Sequence, residues 1–162
     1  MGSSHWEYVV TYRGSVSATL TELHREIFEQ EYGPGTAYAT LDALWADGEF
    51  MGNTGTHSIL DIEQVVDTSE PPRRRLEDYG TVRPLAPDRI LHWFDTLTPT
   101  REQYESLRDQ QKREFKALYG DEYLNRPKTL DDEASMRWAG RYLLLYTGDQ
   151  PTHVAFWGHS GD

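Results

Sequence analysis

Segments rich in β-forming residues lie near both ends of this chain, and they constrain the fold more than any other feature. At residues 6–13 (WEYVVTYR) large apolar side chains alternate with mostly polar ones, and Gly14 follows. Residues 152–158 (THVAFWG) are again rich in β-branched and aromatic side chains. Such segments predict strands. We therefore expect a small sheet that includes the N-terminal and C-terminal strands.

Most of the chain between these strands has the spacing of amphipathic helices, with apolar residues recurring every three or four positions. Capping residues, glycine and proline separate the helical segments. One predicted helix begins after Ser15 or Ser17 and ends before residues 33–35 (GPG), and others span about 36–47, about 87–97, and Thr98 or Thr100 to Gly120. The last has a narrow apolar stripe of Tyr104, Leu107, Phe115 and Leu118. The predicted fold class is α+β, with several amphipathic helices packed on a small sheet.

Two segments fit more than one element. At residues 58–66, Ile59, Ile62 and Val66 have helical spacing with Ser58 as the cap, while a strand also fits; a short helix is preferred. At residues 130–148, acidic residues at the start favour a helix. In the rival interpretation, residues 141–147 (RYLLLYT) form a strand in a hairpin with the last strand.

The length of 162 residues predicts a single domain over residues 1–162. Residues 67–80 are polar and contain prolines, and we expect them to form a flexible loop.

The chain has no cysteine, which excludes disulfides, thiol chemistry and cysteine-ligated zinc. Neither a signal peptide nor an apolar run of the ~18–20 residues that span a bilayer is present. We expect a cytoplasmic protein that does not bind a membrane.

The net charge of −11 is unevenly distributed along the chain. The first 72 residues contain 12 acidic residues and two arginines, whereas 14 of the 16 basic residues follow them. This asymmetry predicts an acidic face. Phosphate-backbone binding needs clustered Lys and Arg, and the basic run at residues 73–75 (RRR) is short, so nucleic acid is not expected as a partner. A basic protein partner suits the charge, although negative charge also serves solubility alone.

The chain carries the motifs HSIL at residues 57–60 and GTVRPLAPDRI at residues 80–90. Together with the N-terminal strand, a Trp-containing segment before these motifs and a long polar helix after them, this order resembles the YfbM-like family of small bacterial proteins. The connection EQEYGPG at residues 29–35 departs from the family pattern. The resemblance implies an α+β fold with helices against a small sheet. It implies no catalytic residue, because it brings no established catalytic motif.

His57 and Asp61 are the candidate catalytic residues. At positions i and i+4 of a helix, a carboxylate can orient an imidazole for acid–base chemistry. In the competing interpretation, which is the simpler one, His57 bonds a turn carbonyl and Asp61 caps a helix or faces solvent.

Five further residues are candidates for binding. Arg13 ends the first strand and suits an anion or a neighbouring carboxylate such as Glu7. The others combine aromatic and basic groups that suit a pocket, although His92 also fits a half-buried surface position. These four are Trp45, Arg83, His92 and Trp93.

Three classes of function remain open from the sequence. The preferred one is a small acidic binding or accessory protein that recognises a protein partner, in a neutralising or immunity-like role. The alternative is a small cofactor-free enzyme that uses a His/carboxylate, aromatic-lined pocket for acid–base or cyclisation chemistry. The third is a small-molecule carrier. The sequence has no phosphate-binding loop, dinucleotide fingerprint or zinc-protease motif, so no cofactor and no metal site are predicted.

Overall fold

The computed structural model describes residues 4–134 and 136–161. The α-helices are α1 (Val16–Tyr32), α2 (Leu41–Ala46), α3 (Gly48–Asn53), α4 (Pro87–Phe94) and α5 (Arg101–Lys116). The strands are β1 (His5–Thr11), β2 (Gln64–Val65), β3 (Thr81–Pro84), β4 (Ala139–Thr147) and β5 (Gln150–His159). Short 3-10 helices span Ile59–Asp61, Arg75–Asp78, Gly120–Asn125 and Leu130–Glu133.

The strands form one mixed sheet in the order β1-β5-β4-β3-β2. β5 pairs antiparallel with both β1 and β4, and β3 pairs parallel with both β4 and β2. The two ends of the chain are therefore neighbours in the sheet, with His5 opposite His159. This arrangement confirms the α+β class and the inclusion of both terminal strands in the sheet.

The preferred helix over residues 130–148 is wrong, and the rival hairpin is correct. β4 and β5 pair over nearly their whole lengths, with an irregularity between Leu145 and Tyr146. Tyr142 packs in the core on one side of the sheet, whereas Leu143 and Leu145 pack in the core on the other side. A strand buried on both faces has a continuous apolar run and lacks the period of two.

The sheet separates two apolar cores. One core lies beneath α1, α2 and the 3-10 helix at Ile59–Asp61, and the other beneath α4 and α5. The first comprises Trp6, Leu20, Leu23, Ile27, Leu44, Ile59, Leu60, Ile62, Val82, Tyr142, Val154 and Phe156. The second comprises Leu85, Phe94, Tyr104, Leu130, Ala134, Leu143, Leu145, Ala155 and Trp157. We call the helices on these two sides the N-terminal layer and the C-terminal layer.

Side-chain caps fix where the main helices begin. The Ser15 hydroxyl accepts a hydrogen bond from Ala18 N at 3.0 Å and starts α1. Thr100 and Gln103 form a reciprocal capping box that starts α5. Asp47 ends α2 and its carboxylate accepts from Phe50 N to start α3. The helix predicted for residues 36–47 is therefore shorter, and a second helix follows it directly.

The inner face of α5 is more polar than the predicted apolar stripe. Its buried residues are Tyr104, Arg108 and Gln111, whereas Phe115 is 47% exposed. A guanidinium can be buried here because two carboxylates pair with it. The predicted stripe is thus correct at Tyr104 and wrong at Phe115.

The segment at residues 58–66 combines both expected elements. Ser58 caps the 3-10 helix Ile59–Asp61, and β2 follows as the edge strand.

In the loop at residues 67–80, the backbone oxygens of Thr68 and Glu70 accept hydrogen bonds from the buried guanidinium of Arg83, at 3.1 and 2.7 Å. The flexibility of that loop stays a prediction. Within the two described ranges, no helix has the length and apolarity needed to cross a membrane.

Candidate functional site

The uneven charge of the sequence becomes a difference between the two layers. The N-terminal layer contains α1, which has one arginine and four glutamates: Glu22, Glu26, Glu29 and Glu31. Further carboxylates on this side are exposed at Asp42, Glu49 and Glu63. In the C-terminal layer the charges are mixed, since α5 carries five basic and four acidic residues. The N-terminal layer is therefore the more acidic of the two, although Glu7 of the acidic half pairs with Arg108 of α5.

A groove of about 540 Å³ lies in this acidic layer, between α1, α2 and the edge strand β2. Its residues are Ser17, Leu20, Thr21, His24, Arg25, Phe28, Thr40, Leu41, Asp42, Trp45, Glu63 and Val65. The wall is largely apolar and aromatic, while Asp42 and Glu63 are exposed. Arg25 also lines the groove, but Glu22 and Glu29 bind its guanidinium at 2.7 and 2.9 Å. The groove therefore presents an apolar wall with negative charge beside it.

His24 and Trp45 form the inner wall of the groove. Their rings meet edge to face with centroids 5.4 Å apart, and Trp45 Nε1 donates to Leu60 O at 2.8 Å. His24 is 6% exposed, and its Nε2 atom has no hydrogen-bond partner among the described residues. Burial lowers the pKa of His24 to about 4, although the nearby carbonyls of Ile59 and Ile62 act in the opposite direction. The imidazole is therefore neutral at physiological pH.

The predicted catalytic residues His57 and Asp61 lie on either side of the start of the 3-10 helix Ile59–Asp61, of which Asp61 is the last residue. His57 precedes the helix, has a φ of 56°, and lies with Nδ1 3.1 Å from Ser4 Oγ. Asp61 is buried, and its Oδ1 accepts hydrogen bonds from Thr56 N at 2.6 Å and Thr56 Oγ1 at 2.8 Å. The i, i+4 arrangement on one helix does not form, since the helix is only three residues long. Asp61 instead holds the turn that leads into it.

The predicted binding residues are divided between the two sides of the sheet. Trp45 lines the groove, whereas Arg83 is buried on the opposite side, where its Nη2 lies 2.7 Å from Asp78 Oδ1. On α4, Trp93 Nε1 donates to Glu133 Oε1 at 2.8 Å, and the exposed ring of His92 packs against Trp93. These residues therefore do not meet in a single pocket.

Arg13 lies apart from the other candidates. It is exposed beyond the end of β1, and its backbone N donates to Thr19 Oγ1 at 2.9 Å. With Glu22 and Glu26 it lines a smaller cavity of about 210 Å³. The pairing of Arg13 with carboxylates of the acidic half stays a prediction, and the carboxylates that share its cavity are Glu22 and Glu26.

The fold brings together another histidine and carboxylate that the sequence did not indicate. His5 Nε2 lies 2.7 Å from Asp131 Oδ1, and the rings of His5 and His159 meet edge to face at 5.6 Å. Arg108 Nη2 lies 2.7 Å from the same Asp131 oxygen, and Arg108 Nε donates to Glu7. These residues are far apart in the chain, so no local spacing could have indicated the cluster.

The cationic groups control the acidity of both carboxyls in this cluster. Burial raises the pKa of Asp131, but the hydrogen bond from His5 and the charge of Arg108 outweigh it and hold that pKa well below the ordinary value of 3.8. Burial likewise raises the pKa of Glu7. The charge of Arg108 and the hydrogen bonds from Tyr104 and Lys112 have a larger effect in the opposite direction, so this pKa is lowered overall. Both carboxylates are therefore ionised and act as hydrogen-bond acceptors.

Comparisons of the chain with family models, with curated proteins and with solved structures gave no match in any of the three. The resemblance to the YfbM-like family therefore stays a prediction that rests on the order of elements. The two candidate sites are the groove in the acidic layer and the charged cluster around Arg108.

Proposed function

We propose that this protein is a small acidic binding or accessory protein that recognises a basic protein partner through the groove between α1 and α2, in a neutralising or immunity-like role. An apolar or aromatic side chain of the partner occupies the groove against Trp45. Lysine or arginine residues beside that anchor lie against Asp42 and Glu63. Complementary charge accelerates such encounters and favours the correct partner.

The observation that carries the proposal is an apolar, aromatic-lined groove in the acidic layer. Its volume of about 540 Å³ lies in the range of about 300–1,000 Å³ typical of ligand pockets. Aromatic residues are enriched at the centres of protein interfaces, and a single side chain inserted into a pocket often contributes much of the binding energy. Trp45 is half-buried, and its hydrogen bond to Leu60 O already holds the side chain in place. This side chain therefore loses little conformational entropy when a partner binds.

Affinity capture from an extract of the source cells tests this proposal when three proteins are compared. These are the wild type, the groove variant Asp42→Lys/Glu63→Lys, and the control Glu102→Lys/Asp109→Lys, which makes the same change of net charge at exposed positions on α5. We expect a Lys/Arg-rich protein to be retained by the wild type and the control and lost by the groove variant. If no retained protein distinguishes the two variants, the proposal is wrong.

The enzyme alternative has one specific observation in its favour, the contact between His5 and Asp131. A carboxylate that orients an imidazole is a common arrangement in acid–base catalysis. Under this alternative, a panel of p-nitrophenyl esters and phosphates contains a substrate whose turnover is lost in His5→Gln while the melting temperature is kept. Absence of turnover across the panel counts against it.

A further inference from the structure

A second cavity lies in the C-terminal layer, on the opposite side of the sheet from the acidic groove. It has a volume of about 350 Å³ and is lined by one face of α5, the loop before the 3-10 helix Leu130–Glu133, and the end of β5. We call it the cationic cleft. The lining residues are Arg108, Gln111, Lys112, Phe115, Lys116, Arg126, Thr129, Asp131 and His159.

Positive charge dominates the lining of the cationic cleft, although the whole chain has a charge of −11. Four of its residues are cationic and one is a carboxylate, Asp131, which Arg108 and His5 already bind. Lys112 and Arg126 each contact one further carboxylate, Glu7 at 3.1 Å and Asp132 at 2.7 Å respectively. In the described part of the chain, Lys116 makes no ion pair, and it is exposed.

The buried groups behind the cleft fix its shape. Gln111 Oε1 accepts hydrogen bonds from Arg108 Nη1 at 3.2 Å and from Leu130 N at 3.3 Å, which joins α5 to the 3-10 segment. Arg108 is 3% exposed and is bound on both sides by carboxylates. Arg108 and Gln111, which form the back of the cleft, therefore have fixed positions before any ligand arrives, and such preorganisation lowers the cost of binding.

An apolar cavity of about 300 Å³ adjoins the cationic cleft and shares Gln111, Phe115, Arg126 and Thr129 with it. Ala117, Leu118 and Pro127 contribute to its wall. Phe115 is 47% exposed, and Tyr123 packs against it edge to face at 5.5 Å. A large exposed aromatic between a cationic and an apolar cavity suits a ligand with both kinds of group.

We infer that the cationic cleft binds a small phosphate monoester with an apolar body. The phosphate lies among Lys112, Lys116 and Arg126, because several cations match a doubly charged, multi-oxygen anion better than a single carboxylate. The apolar body lies against Phe115 in the adjoining cavity. This site is separate from the groove for the protein partner and does not depend on the proposed function.

Titrations followed by ¹H–¹⁵N NMR test this inference with four probes: phenyl phosphate, inorganic phosphate, phenol and benzoate. We expect phenyl phosphate to bind at least tenfold more tightly than each of the others, with the largest shifts on α5 and residues 126–131. We expect Lys116→Glu to raise the dissociation constant of phenyl phosphate at least tenfold. Arg113→Glu makes the same charge change on an exposed residue of α5 that does not line the cleft. We expect it to change that dissociation constant less than twofold.

Phe115→Ala separates the contribution of the apolar body to binding from that of the phosphate. We expect it to weaken phenyl phosphate severalfold while leaving inorganic phosphate unchanged. Three results would overturn the inference: phenyl phosphate binding no more tightly than inorganic phosphate or benzoate, equal effects of Lys116→Glu and Arg113→Glu, or shifts located outside the cleft. Both charge variants alter exposed side chains, so unfolding does not confuse the comparison; melting temperatures within a few degrees of the wild type check this.

Discussion

Arg108 Nη2 lies 2.7 Å from Asp131 Oδ1, and this contact joins α5 to the last 3-10 segment. The same guanidinium donates through Nε to Glu7 on β1. A side chain that is 3% exposed therefore connects an α-helix, an edge strand and a 3-10 helix. Removal of one partner from such a buried network leaves the other charges without compensation, which costs more than the pair itself contributes.

We expect Arg108→Ala to lower the free energy of unfolding by about 3 kcal/mol, the lower end of the range for broken buried pairs, because Asp131 and Glu7 are partly exposed. Urea denaturation at pH 7 measures this loss. Arg101→Ala, which breaks an exposed pair with Glu105 on the same helix, should change the free energy by no more than about 0.5 kcal/mol. Equal effects of the two substitutions would mean that the Arg108 network is not structural.

The buried imidazole of His24 predicts a pH dependence of stability. Its pKa is lowered from 6.5 to about 4 in the folded protein, so between these values the unfolded chain binds the proton more readily. Stability contributed by the neutral His24 is therefore complete above about pH 6.5 and falls as the pH is lowered to about 4, by on the order of 3 kcal/mol.

The measurement is urea denaturation of the wild type and of His24→Leu at pH 7 and pH 5. We expect the wild type to lose more stability than His24→Leu over this interval. The carboxyl pKa values of Asp131 and Glu7 are lowered below 3.8 and 4.5, so the stability that these groups contribute is lost only at lower pH and does not obscure the comparison. Parallel losses in the two proteins would show that His24 is not the titrating group.

Gly140 on β4 leaves room for the Trp6 ring to approach the strand closely. A Cβ at Gly140 would lie 2.6 Å from Trp6 Cη2 and 2.6 Å from Trp157 O. We expect Gly140→Ala to lower the free energy of unfolding by about 1–3 kcal/mol or more, the usual cost of overpacking a core.

Gly52 in α3 provides the matched control, because a Cβ there meets no atom within 4 Å. We expect Gly52→Ala to stabilise the protein by about 0.5–1 kcal/mol through better helix propensity. Thermal denaturation of the two variants measures both changes. A neutral Gly140→Ala would mean that both the Trp6 ring and the backbone at Trp157 can move without cost.

Local signals in the sequence predicted much of the fold. Ser15, Ser58 and Thr100 each cap the element that their spacing indicated. The error over residues 139–147 has a physical cause: side chains on both faces of β4 are buried, which removes the alternation that distinguishes a strand from a buried helix.

The charged cluster could not be predicted in the same way. Its members come from β1, α5 and the segment before β4, and nothing in the local sequence specifies that Glu7 and Asp131 meet Arg108. One signal was present: Arg108 shares a helical face with Tyr104 and Gln111 at intervals of three and four residues. Because polar helix faces usually lie in water, this spacing alone did not indicate that Arg108 and Gln111 are buried.

The association rate constant between this protein and the partner recovered by capture tests the central claim most directly. Stopped-flow tryptophan fluorescence measures it from about 0.05 to about 0.5 M salt, across which the screening length falls severalfold. We predict a rate for the wild type that falls steeply with salt, and a rate for Asp42→Lys/Glu63→Lys that is at least tenfold lower at low salt. Equal rates and equal salt dependence in that variant and in Glu102→Lys/Asp109→Lys would contradict the account.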